Sequence, residues 1–109
     1  NQAINHAATF VEAAADIAVA AVGALPPLGF IHEDSSNAFT LDIADLWRVD
    51  VTLPLAFAAV KALKEGKADQ LEREVRKRAV KTFRQEKLVG RMIDRIKELF
   101  GVDDRAGDT

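Results

Sequence analysis

Cysteine is absent from the 109 residues, which excludes disulfides, thiolate metal sites and cysteine nucleophiles and fits a reducing compartment. There is no glycine-rich phosphate loop, no internal repeat and no long strand pattern. The longest nearly uncharged run, 17–31, contains Gly23, Pro26, Pro27 and Gly29 and is too short and too broken to span a bilayer. No basic n-region or small-residue cleavage site marks a leader. Asn1 stands directly before apolar helical sequence, so the chain reads as an internal or processed piece and not a secretory precursor. Its length allows one domain with a single core.

Basic residues are scarce at the front and dense at the back. Residues 1–60 hold seven acids against Arg48 alone, a net of −6, whereas 61–97 hold thirteen bases against six acids, a net of +7. The last twelve residues return to −3. An acidic half followed by a basic half suits a metal centre beside a phosphate-binding surface, and equally suits solvated helix faces.

Apolar periodicity predicts five helices and an all-α bundle. The first covers about 2–22, is rich in alanine, and ends at Gly23 and the Pro26-Pro27 pair. Residues 28–37 read as a connection, turning in the polar cluster 33–37, and 38–41 as briefly extended. Thr40 or Asp42 then caps a second helix to about Arg48. Thr52 and Pro54 start a third that stops near Gly66. The fourth, about 70–84, carries Leu71, Val75, Ala79 and Phe83 at i+4 spacing with Val80 beside them, and arginines and lysines elsewhere. The fifth, about 86–100, points Leu88, Val89, Met92, Ile93, Ile96, Leu99 and Phe100 inward and is capped by Gly101. The tail 102–109 is expected to be disordered.

The candidate chemistry lies in 28–46, LGFIHEDSSNAFTLDIADL. One helical turn places Asp42 and Asp45 on the same face, and His32 precedes them in a loop. Two carboxylates and an imidazole suit Mg²⁺ or Mn²⁺ better than structural zinc, and such an ion supports phosphoryl transfer. A helix start asks for acids at the same spacing, so a capping role is the commoner use of such a pair. His6, without a partner at helical spacing, reads as a surface or packing histidine. In the basic helix, Glu72 and Glu74 can pair with neighbouring arginines, while arginines left free suit phosphate contact. Trp47 lies outside that helix, so base stacking has no platform there.

Taken together, NQAINHAAT, then LGFIHEDSSNAFTLDIADLWRVD, then REVRKRAVKTFR resemble the catalytic C-terminal domain of the CRISPR adaptation integrase, in its type I-E form. The resemblance runs from Asn1 to about Leu99. It implies a metal-dependent DNA endonuclease and integrase that joins the 3′ ends of short foreign DNA to the CRISPR repeat by transesterification. It further implies Mg²⁺ or Mn²⁺ held by His32 and Asp45 with Asp42 beside them, and phosphate contacts from Arg73, Arg76 and Arg84. Its implied partners are double-stranded DNA, a second copy of the integrase and a small ferredoxin-like adaptation protein, in a prokaryotic cytoplasm. The family also uses a glutamate from an earlier helix and an N-terminal β-domain, neither found in these residues. Neither Glu12 nor Glu33 sits in a matching motif, so the 109 residues alone are expected to bind metal weakly and catalyse little. The alternative is a non-catalytic helical module that binds nucleic acid or protein.

Overall fold

The computed structural model describes residues 1–23 and 33–101. It is an all-α bundle of five helices: α1 (Gln2–Gly23), α2 (Glu33–Leu46), α3 (Leu53–Lys64), α4 (Leu71–Glu86) and α5 (Leu88–Phe100). A π-helical turn, Arg48–Thr52, joins α2 to α3. The side chain of Asn1 opens α1, its Oδ1 accepting the backbone N–H of Ala3 at 2.8 Å, which satisfies one of the donors a helix start leaves bare.

The centre of the bundle is α1, which packs against all four other helices. Its alanines explain how. Ala3, Ala7, Ala14, Ala15 and Ala18 are all buried, and side chains this small let several helix backbones approach one axis. The first half of α1 packs with Leu55, Ala56 and Ala59 of α3 and Val75 and Ala79 of α4. The second half packs with Ile43 and Ala44 of α2, Trp47, Val51 of the π-turn, and Leu88, Met92 and Ile96 of α5. Phe83 touches both groups. By length and composition α1 could cross a membrane, unlike the shorter run 17–31 weighed above. It packs against all four other helices, with 39% of its most apolar window buried.

The i+4 reading of α4 and α5 holds for the inner rows: Val75, Ala79, Leu88, Met92 and Ile96 are buried. It fails at the margins. Val80, Leu99 and Phe100 are about half exposed: Val80 lies beside its row, and Leu99 and Phe100 lie in the last turn of α5, where the helix runs out. The break between these helices falls at Lys87 (φ 51°), whose left-handed backbone ends α4 through a hydrogen bond from its N–H to the carbonyl of Phe83. Gly101 (φ 68°) caps α5 as its position predicts.

The largest correction concerns α2. Residues 33–37 belong to the helix and do not form a turn, and 38–41 are helical, not extended. Acids, serine and asparagine serve turns and helix starts alike, so residue type could not separate the two. Helix α2 consequently begins at Glu33, and neither Thr40 nor Asp42 caps it. Thr40 is buried mid-helix, its hydroxyl without a hydrogen-bond partner among the described residues. Thr52 makes no side-chain cap to α3 either, although Pro54 does occupy the first turn. The expected disordered tail lies outside the described residues.

Candidate metal centre and nucleic-acid interface

Asp42 and Asp45 stand at the far end of α2, four residues and one residue before its last, Leu46. This placement removes the capping explanation. In the last turn of a helix, where Asp45 lies, a carboxylate faces the negative end of the dipole, an unfavourable position by about 0.3–1 kcal/mol that fades one turn further in, at Asp42. Both are exposed, and neither makes an ion pair or hydrogen bond among the described residues. Ile43 and Ala44, between them in sequence, are buried and fix the opposite side of the helix against α1.

Asp45 lines a small hollow of about 50 Å³ between α1, α2 and the π-turn. Its walls include Leu41 and Ala44 from α2, Ala8, Val11 and Glu12 from α1, and Arg48 and Thr52 from the π-turn. Asp42 is not among the lining residues, and His32 lies outside the described residues. That Glu12 and Asp45 line one hollow was not legible in the sequence, because it depends on the angle at which α1 crosses α2. Among the described residues no three histidine, cysteine, aspartate or glutamate side chains converge to hold a metal ion. The available donors are hard carboxylate oxygens, the type Mg²⁺ and Mn²⁺ favour, but too few to complete a shell.

The basic side of the bundle is α4. Arg73 and Arg84 are exposed and free of ion pairs among the described residues. Arg76 is paired with Glu72 one turn before it. Such exposed pairs contribute only about 0.3–0.5 kcal/mol, so Arg76 is readily released to a phosphate. Arg78 is paired with Glu74 through Nε at 2.6 Å, a firmer contact because the Glu74 side chain is 10% exposed. Trp47 is buried in the core, which withdraws it as a stacking surface.

Comparison with known proteins adds the decisive observation. The CRISPR-associated endonuclease Cas1 of a Clostridium species is 34% identical over 104 residues, 95% of this chain and 34% of that protein. The Cas1 2 endonuclease of Thermus thermophilus is 33% identical over 100 residues, 92% of this chain and 30% of its own length. That of Escherichia coli is 30% identical over 95% of this chain and 33% of its length. The chain belongs to the Cas1 family. It spans about a third of the length of the curated Cas1 relatives it matches. A match over 104 residues takes in His32, both aspartates and all of α4. No family model and no solved structure matches the chain.

Proposed function

We propose that this chain is the helical catalytic portion of a metal-dependent DNA endonuclease and integrase of CRISPR spacer acquisition. The observation that carries the reading is the position of Asp42 and Asp45. Asp45 sits in the last turn, the helix end that disfavours acids, and Asp42 one turn before it, both without ion pairs among the described residues and inside the span shared with Cas1 endonucleases. A carboxylate kept where it costs stability and forms no ion pair is what a ligand site requires.

In this reading His32 and Asp45 hold Mg²⁺ or Mn²⁺, with Asp42 alongside. The bound ion supplies Lewis-acid polarisation of a phosphodiester. Arg73, Arg76 and Arg84 contact DNA phosphates from the outward face of α4, which orients the duplex without reading bases. The shortage of ligands among the described residues fits a further carboxylate from elsewhere in the longer protein. A second copy and a small ferredoxin-like adaptation protein are the proposed partners, and the prokaryotic cytoplasm the proposed location.

The test is spacer joining by the full-length protein on a duplex bearing a CRISPR repeat, with Mg²⁺ or Mn²⁺ supplied. His32→Ala and Asp45→Ala are each expected to abolish joining while the protein remains folded. Retention of wild-type joining by either variant overturns the ligand assignment.

A further inference from the structure

Helix α4 carries two distinct basic rows. Arg73, Lys77 and Arg84 face away from the core, whereas Arg78, Lys81 and Gln85 lie about a quarter-turn round, on the flank towards α3. That flank walls two adjoining hollows, of about 270 and 290 Å³, which share Ala58 and Arg78 and so form one groove between α3 and α4. From α3 the groove receives Lys61.

We infer that this α3–α4 groove is a second phosphate-backbone site for duplex DNA, held by Lys61, Arg78 and Lys81. The inference rests on the DNA reading above and extends it to residues outside the outward row. Three features support it. Lys61 and Lys81 are exposed and form no ion pair among the described residues, so their charge is available. Arg78 is already oriented, because Glu74 holds its Nε and leaves the two Nη groups to fork around a phosphate. Thr82 and Gln85 add neutral hydrogen-bond donors.

The groove also contains carboxylates. Glu65 is answered by Lys67 at 3.3 Å, and Asp50 stands at the π-turn end, which leaves the cations in excess. An acidic peptide would share the charge complementarity but needs apolar anchors as well. Val51 and Leu55 of the groove wall are buried, and among the described residues no aromatic side chain lines it. A phosphate backbone needs only the charges and donors present.

The experiment is fluorescence anisotropy of a labelled 30-base-pair duplex with the full-length protein, titrated with KCl from about 50 to 200 mM. Lys61→Ala/Lys81→Ala removes two exposed, unpaired charges, so the fold is retained, which thermal melting checks. Expected is about ten-fold weaker binding at 150 mM salt and a salt slope lower by about one for each lysine removed. Affinity and slope equal to those of the wild type overturn the groove while leaving the outward row intact. A wild-type protein whose DNA affinity ignores salt overturns the DNA reading itself. Loss of poly-glutamate binding with duplex binding unchanged makes the groove a protein site and also overturns the proposal.

Discussion

The Glu74–Arg78 pair is asymmetric, and the asymmetry is measurable. Glu74 keeps only 10% of its side-chain surface in water and has Arg78 as its partner, whereas Arg78 keeps 39% and has solvent beside it. Removing Arg78 strands a carboxylate that is almost out of water. An uncompensated group of this kind costs about 2–3 kcal/mol, below the cost of a fully buried pair because some solvent remains. Removing the charge of Glu74 instead leaves an arginine that can turn outward, at about 0.5–1 kcal/mol. Urea unfolding at pH 7 should therefore rank Arg78→Ala as more destabilising than Glu74→Gln by at least about 1 kcal/mol. The same difference corresponds to several degrees in Tm for a domain of this size. Repetition in high salt should leave the Arg78→Ala loss nearly unchanged, since burial shields Glu74 from screening. Equal losses in the two variants, or an Arg78→Ala loss that disappears in salt, would refute the reasoning.

Two further substitutions test particular backbone positions. Lys87→Gly relieves a left-handed residue that carries a Cβ and should raise stability by about 0.5–1 kcal/mol in thermal or urea unfolding. A loss would mean that the Lys87 side chain makes a compensating contact. Asp45→Ala should change stability by less than about 0.5 kcal/mol, or raise it slightly, because it removes an acid from a helix C-terminus. A helix N-cap would lose about 0.5–2 kcal/mol on substitution, so a drop of that size would restore the capping role.

The sequence revealed those parts of the structure that depend on a single helix. The rows of α4 and α5 could be read because Val75 and Ala79, or Leu88, Met92 and Ile96, recur every four residues and meet α1 directly. The pairing of Glu72 and Glu74 with arginines was equally local. The start of α2 was misread because its residue types are shared between turns and helix starts, and that error carried Asp42 into a capping role. Asn1, standing directly before the apolar run, was equally legible as a cap of α1. What remained hidden depends on two elements at once. The hollow shared by Glu12 and Asp45 and the groove between α3 and α4 follow from packing angles that no periodicity records.

The π-turn between α2 and α3 has its own consequence. In five residues it presents Arg48 and Thr52 to the carboxylate hollow, and Asp50 and Val51 to the basic groove. Its wide winding, with the Thr52 N–H bonded to the Trp47 carbonyl at 3.1 Å, holds one residue more per turn than an α-helix would. That surplus residue sets the phase between the acids of α2 and the cations of α3. Deleting it would leave both helices intact and rotate one against the other by about 100°. The carboxylate hollow and the basic groove would then lose their alignment without any charged group being removed.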